Sequence, residues 1–166
     1  MSKLNSKTAL IIGGSASIGT EIVTQFKTNK MRVITTYTSK DVFNHDESVT
    51  SFYLNLSNEE SIKKVTRRLH DVTQTIDIVI FLAGILPGQK LEDYDFSMID
   101  KVITVNFSGQ TKLLMNILSL LTHSSCILFF SSISAQRGSY DPIYAASKGA
   151  LLSLVKSLAK SLPKGC

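Results

Sequence analysis

A chain of 166 residues is long enough for one domain with a real core, burying about 68–70% of the surface of its unfolded form. Its 43% hydrophobic and 19% charged content, with nine glycines and three prolines, excludes disordered, collagen-like and coiled-coil classes. The formal charge of +5 is dispersed, and the densest basic group, Lys63, Lys64, Arg67 and Arg68, follows Glu59 and Glu60 in the order a helix dipole favours. Nucleic acid is therefore not an expected partner.

The elements read in chain order as strands alternating with helices, the signature of βαβ units and a parallel sheet. Residues 8–12 form a β-rich run that ends at Gly13. Ile18, Ile22, Val23 and Phe26 then recur at helical spacing until Lys30. Residues 31–37 make a second strand and 51–54 a short third. A helix is predicted over 58–70, with Ser57 or Asn58 as its N-cap. Residues 77–82 are an unbroken apolar run that suits a strand covered on both faces.

A Pro87-Gly88 loop follows, then a long helical region over 96–121, a strand over 126–130 and a last helix over 142–160. Right-handed crossovers give an α/β doubly wound, Rossmann-like parallel sheet of five strands in spatial order 3-2-1-4-5. No repeat or linker divides the chain, so residues 1–166 are expected to form one domain. Ligands in such sheets bind outside the carboxyl ends of the strands, where the order reverses.

Neither Cys126 nor Cys166 has metal-ligand spacing or belongs to a disulfide framework, which fits a reducing compartment. Residues 1–8 lack an apolar segment, and no run approaches the ~20 apolar residues that span a bilayer. A cytoplasmic protein without a membrane partner is expected.

Residues 12–19, Ile-Gly-Gly-Ser-Ala-Ser-Ile-Gly, join the first strand to the first helix. Glycine there tolerates positive φ and admits a close approach, while the helix N-terminus offers free N–H groups and a partial positive charge. Gly13, Ser15, Ser17, Ile18 and Gly19 are accordingly expected to cradle a pyrophosphate. A second constellation, Tyr144-Ala145-Ala146-Ser147-Lys148, places Tyr144 and Lys148 four apart on one helical face. An ammonium about 4 Å from the phenol, at an effective dielectric near 20, stabilises its ionised form by about 4 kcal/mol. Such a tyrosine suits acid–base work near neutral pH.

Together these motifs resemble the short-chain dehydrogenase/reductase family, whose glycine pattern is Thr-Gly-x-x-x-Gly-x-Gly. Gly13 and Gly19 match its first and last glycines, with Ile12 and Ser17 in place of the threonine and the middle glycine. The resemblance implies hydride transfer between a nicotinamide dinucleotide and a carbonyl or alcohol substrate. It further implies that Ser132 orients the carbonyl, Tyr144 acts as general acid/base, Lys148 assists it and holds the nicotinamide ribose, and Asn106 anchors a water. The family spacing selects Ser131, whereas position in the Ser131-Ser132 pair selects Ser132, which is the residue expected here.

Asn55-Leu56 stands where the family has Asp and an apolar residue beside the adenine. Phe81-Leu82-Ala83-Gly84 replaces Asn-Asn-Ala-Gly, leaving Ala83 and Gly84 to approach the cofactor. The second strand ends without a carboxylate before Asp41, and hydroxyls such as that of Thr36, with Lys40, can receive a 2′-phosphate, so NADP(H) is favoured over NAD(H).

Family catalytic domains are about half as long again, so the sequence reads as lacking the last strands and the substrate loop. That leaves the fifth strand as an uncovered edge. A truncated remnant that binds a dinucleotide or a partner with little turnover is the alternative function. An epimerase or dehydratase of the extended relatives is a third. At full length the apolar stretches 113–121 and 151–158 suit a homodimer or homotetramer, although half of these residues can equally cover the sheet.

Overall fold

The computed structural model describes residues 4–162. Five strands form one parallel sheet in the order β3-β2-β1-β4-β5: β1 (Thr8–Ile12), β2 (Arg32–Tyr37), β3 (Val49–Tyr53), β4 (Ile76–Phe81) and β5 (Leu121–Phe129). The order agrees with the sequence expectation, and most boundaries fall within two residues of it. Helix α1 (Ser17–Thr28) packs against one face. Helices α2 (Glu59–Val72), α3 (Phe96–Ile103), α4 (Gly109–Ile117) and α6 (Pro142–Ser161) follow on the other connections, with α5 (Ser134–Arg137) a single turn.

Two apolar layers sandwich the sheet. On one side Leu10, Ile12, Ile34, Val79 and Phe81 meet Ile62, Val65, Leu69, Leu113 and Ile117 of α2 and α4. On the other, Ala9, Ile11 and Val33 meet Val23, with Ile22 and Phe26 beside it. The alternation along β1 explains why all five of its residues are buried. A central parallel strand presents every side chain to a helical layer.

Two elements depart from expectation. Strand β5 begins at Leu121, not at residue 126, because Leu121 pairs with Ile76 before the register slips and Cys126 pairs with Ile78. Ser125 fills the bulge, donating to the Ile76 carbonyl at 2.6 Å and accepting from the Thr122 N–H at 2.8 Å. The polar run 122–125 hid this pairing, since its hydrogen bonds come from a side chain rather than from a ladder.

The helix expected over 96–121 is also broken. It passes from α3 into a π-turn, Thr104–Ser108, then into α4, and ends in a 3₁₀ turn, Leu118–Leu120. At Gly109 an added Cβ would lie 2.4 Å from the Leu56 carbonyl oxygen and 2.8 Å from that of Thr104. The extra residue of the π-turn turns Asn106 inward while Gly109 packs flush against the segment after β3.

The apolar stretches weighed for self-association divide. Leu113, Leu114, Ile117, Leu120 and Leu151 are core residues, whereas Met115, Leu118 and Val155 are exposed. Cys126 faces solvent from the edge strand β5. Among the described residues no helix is long and apolar enough to cross a membrane.

Candidate active site

The carboxyl ends of β1 and β4, where the strand order reverses, open into a cleft of about 520 Å³. Of the cofactor-binding residues expected from sequence, Gly13, Ser15, Thr36, Asn55, Leu56, Ala83 and Gly84 line it. They are brought together because β1, β2 and β4 end at one level and the segment after β3 folds over them.

The turn that floors this cleft is held by contacts a larger residue would break. Gly13 has φ +90°, and a Cβ there would lie 2.8 Å from the Ala83 nitrogen. Gly19 presses the first turn of α1 onto the strand, with a Cβ meeting the Gly14 Cα at 2.5 Å and the Gly13 carbonyl at 2.7 Å. Ser17 and Ile18 are exposed on that first turn. Asn58, Asp95 and Asp141 cap α2, α3 and α6 with side-chain oxygens. Ala16, at the start of α1, gives no side-chain cap, and no acidic residue follows in the first turn. The N-terminus of α1 thus keeps donors and a positive dipole end directed to the cleft, which suits an anionic group.

Thr36 and Asn55 have duties that sequence reasoning did not assign. The Thr36 hydroxyl accepts the Gly13 N–H at 3.0 Å, so it braces the glycine turn from β2. The Asn55 side-chain oxygen accepts the Ser57 N–H at 2.9 Å, an Asx turn that shapes the cleft wall. Lys40 lines an adjoining hollow with Tyr37, Asp41 and His45, and Ser39 is shared between hollow and cleft.

Two polar groups meet at Gly84, which lines the cleft, although Asn106, Ser132, Tyr144 and Lys148 are not among the cleft's lining residues. A Cβ on Gly84 would lie 3.3 Å from Asn106 Oδ1 and 3.3 Å from Lys148 Nζ. Lys148 is 5% exposed, and burial pushes its ammonium down from the ordinary lysine value. Tyr144 and Lys148 share a helical face, with Nζ 5.9 Å from the ring centroid. Nζ donates to the Phe130 carbonyl at 2.8 Å.

Asn106 is fully buried. It grips the Ile85 peptide on both sides, accepting its N–H at 2.7 Å and donating to its carbonyl at 2.9 Å, and it donates to Ser147 Oγ at 3.0 Å. Its side chain therefore ties the segment after β4 to α6. Of the serine pair, Ser131 donates to the Lys148 carbonyl at 2.8 Å. Ser132 accepts the Ser134 N–H at 3.2 Å, so its own proton remains to be donated.

Sequence reasoning missed Ser147, Gln110 and Asp141. Gln110, fully buried, donates to the Ala83 carbonyl at 2.7 Å and to that of Val105 at 3.2 Å. It ties the end of β4 to the π-turn. The only signal was a polar residue within an apolar helix stretch, which spacing alone cannot tell from a solvent-facing one. Phe81 stands where the resemblance places an asparagine. It stacks on Phe129 at 4.4 Å between centroids and so belongs to the core.

Comparison with known proteins matches this architecture. The short chain dehydrogenase family aligns with residues 7–165, and the chain belongs to that family. It is 30% identical over 172 residues to an uncharacterised oxidoreductase, YxbG, of Bacillus subtilis, covering 96% of this chain and 62% of that protein. It is 31% identical to the 2-dehydro-3-deoxy-D-gluconate 5-dehydrogenase of the same organism, covering 94% of this chain and 65% of that enzyme. Among solved structures, a short-chain dehydrogenase/reductase of Brucella melitensis superposes with a TM-score of 0.88 at 22% identity, covering 98% of this chain and 73% of that one. BdcA in complex with NADPH superposes with a TM-score of 0.87 at 25% identity, covering 98% and 68%.

Proposed function

We propose that this chain is the dinucleotide-binding and proton-handling part of an NAD(P)-dependent oxidoreductase acting on a small carbonyl or alcohol substrate. The observation that carries the reading is the approach of Asn106 and Lys148 to Gly84, which lines a cleft floored by an uncapped helix N-terminus. The likeness to a 2-dehydro-3-deoxy-D-gluconate 5-dehydrogenase and to a protein crystallised with NADPH supports it.

The residues present fit a dinucleotide. The turn from Gly13 to Gly19 would receive the pyrophosphate, with Ser15 at the cleft wall and Ser17 and Ile18 contributing backbone N–H groups. Asn55 and Leu56 would flank the adenine, and Ala83 and Gly84 admit the nicotinamide ribose beside Lys148 Nζ. The cofactor, when bound, supplies or accepts the hydride. The residues do the rest. Ser132 donates to the substrate oxygen, and Tyr144 gives that oxygen a proton or takes one from it. Lys148, buried beside the Tyr144 ring, would donate to the ribose. Asn106 keeps the Ile85 peptide and Ser147 in register beneath them.

NADP(H) is the favoured form. The first carboxylate after β2, that of Asp41, accepts from the Phe43 N–H at 2.9 Å and from the Ser51 hydroxyl, so it is turned away from a ribose 2′-hydroxyl. Thr38 and Ser39 line the cleft instead, and a hydroxyl accommodates a phosphate where a carboxylate repels it. The expected setting is the cytoplasm, with a second copy of the whole protein as its partner.

Calorimetric titration with NADPH and NADH, followed by a carbonyl screen monitored at the reduced-nicotinamide absorbance, tests the reading. Saturable binding with NADPH preferred is expected, and Tyr144→Phe should keep binding and lose turnover. Binding without turnover in the parent chain would instead favour a remnant, a reading to which Ile12, Ser17 and the Phe81-Leu82 pair lend weight. No binding of either dinucleotide would end both.

A further inference from the structure

The N-terminus of α6 carries a carboxylate for which the glycine turn and the Tyr144–Lys148 pair have no need. Asp141 is 2% exposed. Its Oδ1 accepts the Tyr144 N–H at 2.8 Å and the Tyr94 hydroxyl at 2.7 Å. Its Oδ2 accepts the Gly88 N–H at 3.0 Å and the Gln89 N–H at 3.4 Å. A helix cap needs one such acceptor. Three of these four donors come from a segment 47 to 53 residues away in sequence.

The same segment is gripped a second time. Asn106 holds both faces of the Ile85 peptide and donates to Ser147 Oγ, and Ser147 in turn donates to the Tyr144 carbonyl at 2.7 Å. The loop 85–89 is therefore fixed at both ends to α6, and each hold terminates on a peptide group of Tyr144: its N–H on Asp141, its carbonyl on Ser147. The polar circuit is closed by backbone, so neither end can shift without the other.

Charge maintains the arrangement. An ionised carboxylate is acceptor-only and can satisfy four donors at once. Burial pushes Asp141 up, but its bonds from Tyr144, Tyr94, Gln89 and Gly88 outweigh this and hold it below the usual carboxylate range. Burial, then the bond to Asp141, pushes the Tyr94 phenol up to about 12, so Tyr94 stays a donor.

We propose that Asp141 is a positioning residue which, with Tyr94, clamps residues 85–94 to the first turn of α6 and thereby sets where Tyr144 stands relative to Gly84 and Lys148. The assignment rests on the reading of Tyr144 as the proton-transferring group.

Asp141→Asn discriminates because it is isosteric. One side-chain oxygen remains to cap the helix, while an NH₂ replaces the atom that faces two N–H groups. Tyr94→Phe removes a single bond and spares the cap, which keeps the test open if the first variant folds poorly. In amide hydrogen exchange on the dinucleotide-free chain, Asp141→Asn should accelerate Gly88 and Gln89 by about tenfold or more. The Tyr144 Cζ resonance in ¹³C-tyrosine-labelled protein should move in both variants. With dinucleotide and a turned-over carbonyl, kcat should fall about ten- to a hundredfold in Asp141→Asn with the dinucleotide KM unchanged.

Unaltered exchange and an unmoved Tyr144 resonance in both variants would overturn the clamp. Loosened exchange with an unchanged kcat, or with a Tyr144 resonance that stays put, would overturn the positioning role. Failure of the parent chain to bind NADPH or NADH sinks the oxidoreductase reading and with it the catalytic meaning of where Tyr144 stands, whereas exchange and the resonance decide the clamp itself without cofactor.

Discussion

The Lys148 ammonium donates to the Phe130 carbonyl at 2.8 Å, so a buried cation fastens α6 to the end of β5. Lys148→Met removes a desolvated charge as well as a hydrogen bond, and the two effects oppose. The urea-derived stability at pH 7 should therefore change by no more than about 1 kcal/mol. The folded-state value is lowered from 10.5 by burial, so between the two values the unfolded chain binds more protons and stability rises with pH. Lys148→Met should lose that rise in the alkaline range. A loss of several kcal/mol at pH 7 would show that the ammonium is a structural keystone instead.

Ser131 and Ser132 are separable by single substitutions. Ser131 is engaged by the Lys148 carbonyl and Ser132 by the Ser134 N–H, so only Ser132 retains a proton to donate. Steady-state kinetics should show Ser132→Ala losing about two orders of magnitude in kcat, the scale of a lost oxygen-directed donor, with Ser131→Ala within a few-fold of the parent. The reverse ranking would move the role to Ser131.

Gly19→Ala places a methyl against backbone on three sides, with contacts of 2.5, 2.7 and 2.8 Å to Gly14 and Gly13. Backbone cannot rotate aside as a side chain can, so a cost of about 1–3 kcal/mol is expected. Dinucleotide binding should be lost with it. A thermal midpoint equal to that of the parent would contradict the close packing of α1 on its turn.

Phe81 is core rather than site, although its position in the Phe81-Leu82-Ala83-Gly84 segment invites a functional reading. Phe81→Ala should destabilise by about 3–5 kcal/mol through the cavity left beside Phe129. Phe81→Asn, which restores the residue type of the family pattern, should be at least as costly, because nothing placed at this apolar site answers a buried amide. Denaturant titration of the two variants checks both statements.

Acid should unfold the parent through Asp141 among other carboxylates. Its folded-state value is held down, so it contributes stability that is present above about 3.9, the unfolded value, and lost as pH falls through the lower folded one. Asp141→Asn should cost about 1.5–3 kcal/mol at pH 7 and flatten the stability profile below pH 4. Exposed Glu59 and Glu60, also lowered by lysine partners, contribute little to that profile because solvent screens them.

Much of the fold was written in local pattern. The alternation of apolar runs with helical spacing set the element order, and right-handed crossovers pointed to the doubly wound order 3-2-1-4-5 that the sheet adopts. The glycine turn was legible because Gly13 and Gly19 sit between a strand and a helix. The Tyr144–Lys148 pair was legible because helical geometry alone puts residues four apart on one face.

What needed the tertiary structure were contacts between segments far apart in sequence. The grip of Asn106 on Ile85, the bond from Ser125 that carries β5 past its bulge, the turning of Asp41 away from the cleft and the joining of Asp141 to Tyr94 leave no periodic trace. Hydrophobic periodicity reports which face of an element is buried; it carries no information on which buried donor meets which acceptor. That choice is made only when the chain has folded and every polar group taken from water must find a partner within about 3 Å.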